Sequence, residues 1–161
     1  MPKSRIEVIN NRLQARIIAT LESLDPNSPE INRILFGIGT MLRNMAIGNI
    51  SRLGAVDQGR LRASINFQIE SNGESTRLIV GAFGLKYARI VELGGAFTDQ
   101  MRKAMFASFR ARGLKPREGK GIIRDGYYRA RPYLGPALAN ARPEITAQFR
   151  ELVAGKLKGD G

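Results

Sequence analysis

Between Gln100 and Arg131 the chain carries ten basic residues, Arg102, Lys103, Arg110, Arg112, Lys115, Arg117, Lys120, Arg124, Arg129 and Arg131, against only Glu118 and Asp125. Guanidinium and ammonium groups at this density do one kind of chemistry, which is to meet anions through charge-assisted hydrogen bonds. The stretch supplies eight of the net +12 of the whole chain, so the charge is a patch in sequence and not a uniform coat. Three surroundings suit it: a polyanion such as DNA, an acidic partner protein, or plain solvent. Glu92, placed just before Gly94 and Gly95, is a second candidate. A carboxylate ending a short helix serves more often as a hydrogen-bond or salt-bridge partner than as a catalytic acid. Tyr87, Tyr127, Tyr128 and Tyr133 have rings that could stack on bases, although core or interface packing is the commoner use of tyrosine.

The chemistry that is missing narrows the function further. The chain has no Cys and no His, which removes disulfides, thiolate ligands, imidazole ligands and the usual acid–base side chain. Its 14 acids are scattered, no glycine-rich phosphate loop follows a strand, and no zinc, calcium or nucleophile-elbow spacing occurs. The expectation is a binding protein and not an enzyme, with no catalytic, cofactor-binding or metal-ligating residues. No apolar run approaches the ~20 residues that span a bilayer, and Met1-Pro2-Lys3-Ser4-Arg5 does not open an apolar leader. A soluble, cytoplasmic chain with no membrane partner is expected. At 161 residues it suits one domain spanning 1–161.

The elements that must position these groups follow from hydrophobic period. Ser4 with Glu7 reads as a capping box, and Ile6, Ile9, Leu13, Ile17 and Leu21 recur at helical spacing, which predicts a first helix to about Leu24. Ser28 and Pro29 start a second helix ending near Arg52, with Gly37 and Gly39 open to close approach by a neighbour. Alternation from Leu61 to Ile69 predicts a strand. The Asn72-Gly73 turn returns it as an antiparallel partner over Thr76 to Phe83. A short helix over Lys86 to Leu93 stops at Gly94-Gly95, and Thr98 caps a helix over Asp99 to Ala111, with Met101, Ala104, Met105 and Phe109 on one face. A third strand is expected near Tyr127 to Arg131, and a long helix from Gly135 to Leu157 that Pro143 kinks or restarts. The fold class is α+β: a small antiparallel sheet packed against two N-terminal helices and a long C-terminal helix, with an inserted basic helix and loop over 96–128.

Three blocks in order carry a resemblance: Val56-Asp57-Gln58-Gly59-Arg60-Leu61-Arg62-Ala63-Ser64-Ile65, then Gly84 to Gly95 (GLKYARIVELGG), then Arg129 to Leu138 (RARPYLGPAL). Together they resemble the tail-completion, or head–tail joining, proteins of tailed bacteriophages. The resemblance covers Val56 to Leu138, about half the chain. It implies that the first residues after Gly59 form a helical turn, so that the strand begins near Ser64. It also implies structural roles for Gly59, Leu61, Arg62, Tyr87, Glu92, Gly94, Arg131, Pro132 and Leu134, with Glu92 pairing with an arginine such as Arg131. The inserted segment 96–128 departs from the family, whose members usually cross this interval by a short segment. The function implied is a structural virion protein of the neck, made in the host cytoplasm. It forms a homo-oligomeric ring, commonly a hexamer, between the head connector or stopper and the tail terminator or tail tube, with double-stranded DNA passing through its lumen. Arg102, Lys103, Arg110, Arg112, Lys115, Arg117, Lys120 and Arg124 then face the lumen or an adjoining ring. A tail terminator capping the tube is the neighbouring alternative, and a small basic nucleic-acid-binding module is the alternative from another class.

Overall fold

The structure, a computed structural model, describes residues 5–11, 14–20, 28–53, 58–72, 75–85, 87–96, 98–111, 113, 123–124 and 127–159. Strands stand where the sequence predicted a first helix. Residues Arg5–Asn11 (β1) and Gln14–Thr20 (β2) form an antiparallel hairpin, with Val8 opposite Ile17. Ser4, Leu13, Leu21 and Leu24 lie outside the described residues. The physical reason is twofold. Ile6, Val8, Ile9, Ile17 and Ile18 are β-branched and fit a pleated surface well. The neighbouring strand Thr76–Ala82 (β4) also offers an edge, on which β2 pairs with Ile17 opposite Leu78 and Ala15 opposite Val80. Leu78 and Val80 are fully buried, so the register extends an apolar row that a lone helix would not continue.

The helix Pro29–Leu53 (α1) starts where predicted. Ser28 Oγ accepts from the Ile31 amide at 3.3 Å, and Pro29 occupies the first turn, where its missing N–H costs nothing. Ile31, Leu35, Ile38, Leu42, Ala46 and Ile50 form its buried stripe. Gln58–Ser64 (α2) is the helical turn before the strand Ile65–Ser71 (β3). Strand β3 pairs with β4 around a turn in which Asn72 Oδ1 accepts from the Ser75 amide at 2.8 Å. The sheet order is β1-β2-β4-β3, and α1 packs across β3 and β4.

Next come the short helix Ala88–Leu93 (α3), the two-residue strand Gly95–Ala96 (β5), the helix Asp99–Ala111 (α4), the strands Ile123–Arg124 (β6) and Tyr127–Tyr128 (β7), and the long helix Leu134–Gly159 (α5). The third strand of the prediction therefore exists, but in a second sheet of order β5-β7-β6. Ala96 pairs with Tyr127 and Gly95 with Tyr128, so the two ends of the inserted segment are clamped side by side. Helix α5 runs through Pro143 without restarting. Both Pro143 and Ala139, whose carbonyl loses its i+4 donor, are exposed, so water can take the lost bond. Tyr133, Leu138, Ile145 and Phe149 join the α1 stripe and the β4 interior in one core cluster. The molecule is α+β, with one long helix and the hairpin where two N-terminal helices were expected.

Gly39 is where α1 meets the sheet. A Cβ there would sit 2.6 Å from Cδ2 of Phe67, whose ring packs edge-on to Phe36 at 5.3 Å between centroids. Gly37 and Gly48 have open space around the same position. Gly39→Ala is expected to lower stability in urea denaturation by about 1–2 kcal/mol, overpacking outweighing the better helix propensity of alanine. Gly48→Ala, with nothing to strike, should raise it by about 0.5–1 kcal/mol. A stabilising Gly39→Ala would contradict the close approach.

Candidate functional site

Helix α3 ends at Gly94, whose φ of 67° lets the chain turn in a conformation that costs other residues. A side chain there would also collide with the returning backbone, since a Cβ would lie 2.7 Å from the Ala130 amide nitrogen and 2.8 Å from the Tyr128 carbonyl oxygen. The two stretches of chain are therefore pressed together. The Arg131 amide donates to the Val91 carbonyl at 2.7 Å across the same contact.

Glu92 reaches over this junction to the start of α5. Its Oε2 accepts from the amides of Tyr133 at 2.7 Å and Leu134 at 3.0 Å, and its Oε1 accepts from the Gly135 amide at 2.9 Å. These are first-turn amides, which have no carbonyl four residues back, and they carry the positive end of the helix dipole. The residue before them is Pro132, which has no amide to satisfy. A carboxylate from a segment 41 residues upstream of Tyr133 thus serves as the N-cap. Gly135 keeps the approach open, as its own Cβ would come within 3.3 Å of Oε1.

The opposite pole is met by Arg131. Its Nη1 donates at 2.9 Å to the carbonyl of Leu53, the last residue of α1, where unpaired carbonyls gather negative charge. Asn49 Nδ2 adds a bond to the Tyr133 carbonyl at 3.0 Å. The end of α1, the end of α3 and the start of α5 are therefore locked by Glu92, Arg131 and Asn49. The sequence suggested Glu92 and Arg131 as partners of each other. The bonds described run from three amides to Glu92 and from Arg131 to a helix-end carbonyl.

Tyr133 lies under this clasp, 1% exposed. Burial first, then the negative charge of Glu92 and the neighbouring Tyr87, hold its hydroxyl well above the ordinary phenol value of 10.0. Burial likewise raises the Tyr128 hydroxyl, with Arg131 opposing. Tyr87 packs half-buried against the core and Leu134 is buried within it. Of the described residues of the first block, Leu61 and Ile65 are buried in the same core; Gly59 and Arg62 are exposed, and a Cβ added at Gly59 would face open space.

Of the basic residues, Arg131 belongs to the clasp, while the described side chains of α4 stand apart from its bonds. Lys103 and Arg110 are exposed on α4, whose described side chains are all exposed. Arg102 and Arg124 sit on α4 and β6, but their side chains are outside the described set, as are Arg112, Lys115, Arg117 and Lys120 altogether. Thr98 caps α4 as expected, its Oγ1 accepting from the Met101 amide at 3.2 Å. Among the described residues no group of three or more His, Cys, Asp or Glu could hold a metal ion, and no helix is long and apolar enough to cross a membrane. Sequence reasoning missed Asn49 and Gly135. Their partners lie 84 and 43 residues away, and no local pattern marks them.

No family model, curated protein or solved structure matches this chain. The geometry itself says what the clasp does. A carboxylate whose oxygens accept three backbone amides is a structural fastener, and its chemistry is to join elements distant in sequence.

Glu92→Ala should lower the unfolding free energy by about 2–3 kcal/mol, because three part-buried amides lose a charged acceptor. Glu92→Gln should cost about half as much, since one oxygen remains while an NH2 group is turned toward an amide. Equal stability of all three proteins in urea would remove the capping role. The raised tyrosines also set a pH dependence. A phenol raised in the folded state favours folding fully below its unfolded value of about 10, and that contribution is lost as pH rises above it. Stability should therefore fall with pH above about 10, and less steeply in Tyr133→Phe, which equilibrium unfolding across that range will read.

Proposed function

We propose that this chain is a structural protein of the neck of a tailed bacteriophage, one subunit of a ring that joins head to tail and lets double-stranded DNA pass through its lumen. The observation that supports this role is that the second and third of the blocks on which the resemblance rests meet on one clasp. Glu92 and Gly94 of the second block bind and accommodate Ala130, Tyr133, Leu134 and Gly135 of the third, and Leu61 of the first joins the same core.

The work of such a subunit is binding. It must present one surface to the next copy around the ring and others to the rings above and below. A basic helix standing at the surface, with Lys103 and Arg110 exposed, suits either phosphates met without sequence readout or an acidic neighbour. The net charge of +12 favours the same two partners. A terminator of the tail tube would use the same chemistry one ring away.

Electron microscopy of particles made when the gene is disrupted decides among these roles. Full heads beside separate tails of normal length are expected. Abnormally long tails would shift the assignment to the terminator, and intact joined virions would overturn both. Supplying the gene back with Lys103→Glu and Arg110→Glu together should restore fewer joined, DNA-filled particles than the unaltered gene does.

A further inference from the structure

Strand β3 ends the sheet order β1-β2-β4-β3, so among the described strands one of its long edges has no neighbour. Two bonds show which of its backbone groups point that way. The Phe83 amide donates to the Ser64 carbonyl at 2.9 Å and the Asn72 amide to the Ser75 carbonyl at 3.2 Å, so the even-numbered residues from Ser64 to Asn72 turn their backbone groups toward β4. In an antiparallel ladder the alternate residues turn theirs away, which places those of Ile65, Phe67, Ile69 and Ser71 on the outer edge. An edge of this kind is a template for a strand of another chain.

Two of these outward groups are already taken by the chain's own side chains. Arg43 reaches from α1, and its Nε donates to the Ile65 carbonyl at 3.1 Å. Asn66 Oδ1 accepts from the Phe67 amide at 2.9 Å. Gly39, about one turn before Arg43, lets α1 lie this close, because it lies against the Phe67 ring. Which groups are taken is decisive. If the β3 strands of two copies paired antiparallel about a two-fold axis at Phe67, each Phe67 amide would seek the Phe67 carbonyl of the other copy, and each Ile65 carbonyl the Ile69 amide of the other copy. A register centred on Ile69 would still need the Phe67 amide. Asn66 and Arg43 occupy the Phe67 amide and the Ile65 carbonyl.

We propose that Arg43 and Asn66 hold the outer edge of β3 closed to the same strand of a second copy. Copies of this chain then meet by surfaces other than this edge, and a subunit waiting to assemble is kept from pairing with its like through the sheet. The device belongs to the fold and does not rest on the neck role.

The test is light scattering with amide hydrogen exchange on the full chain carrying Asn66→Val and Arg43→Met together, which removes both bonds while keeping side chains suited to a strand and a helix. Gln68→Val is the control. Gln68 is exposed on the same strand and face as Asn66, so the change adds similar apolar surface without releasing an edge group. The double variant should self-associate at least about tenfold more tightly than the unaltered protein, through the bonds released at Phe67 and Ile65. Exchange at its Ile69 amide should slow as protein concentration rises. Asn66→Val alone should act in the same direction to a smaller degree. Because Asn66 is exposed, that variant should keep its thermal unfolding temperature, and it carries the test if Arg43→Met loosens the helix. Association no tighter than that of Gln68→Val, or association that leaves the Ile69 amide unaffected, would overturn the proposal. So would an Ile69 amide that already slows with concentration in the unaltered protein, because the edge would then be in use. Joined virions after gene disruption would remove the neck role and leave this closed edge standing.

Discussion

Two helix ends with opposite needs meet in this molecule, and satisfying both at once is the constraint on which the remaining structure depends. The last carbonyls of α1 want a cation or donor, and the first amides of α5 want an anion or acceptor. The chain answers with Arg131 on the Leu53 carbonyl and Glu92 on the amides of Tyr133, Leu134 and Gly135. Because Glu92 lies at the end of α3 and Arg131 follows the last short strand, the same bonds fix where α3 lies and where β7 returns. The glycine at 94 then becomes obligatory, since the backbone it faces is already in contact. Tyr133 is buried by the arrangement and fills the space under it.

Much of this was legible in the sequence where the signal is local. Ser28 and Pro29 announced α1, Asn72 the turn between β3 and β4, Thr98 the start of α4, and the odd-numbered apolar residues from Ile65 to Ile69 the strand. The N-terminal segment was misread because its apolar residues satisfy two periods. Ile6, Ile9 and Ile17 fit a helical stripe, yet Val8 opposite Ile17 and Ile17 opposite Leu78 fit a sheet. What decides between them is the edge of β4, a strand roughly sixty residues later, and the sequence between β1 and β2 lacks the glycine that would have advertised a hairpin. Glu92 was legible as a structural acid but its target was not. A cap whose acceptor and donors are separated by 41 to 43 residues leaves no spacing to read. Pro143 was read as an interruption because the sequence does not show that both it and Ala139 face water.

The division of labour between inside and outside bears on function. The second and third blocks build the clasp, and Leu61 and Ile65 of the first join the core. The excursion between residues 96 and 128 leaves the clasp at Ala96, returns at Tyr127 and carries much of the net charge of the chain. Its ends are held in the two-residue ladders of the small sheet, so α4 can present Lys103 and Arg110 without disturbing the junction beneath. A scaffold fixed by part-buried hydrogen bonds carries the exposed charges of α4 and the exposed ring of Tyr127. On the neck assignment proposed above, such groups would meet further copies, adjoining rings and the phosphates of DNA in transit.

The most direct measurement is a reconstruction by cryo-electron microscopy of the head–tail junction in particles that encode this chain. The account predicts a closed ring of copies around the DNA, each traceable by the long helices α1 and α5 meeting at the Glu92 junction. A fully resolved junction built wholly from other proteins, with this chain absent from purified particles, would contradict it.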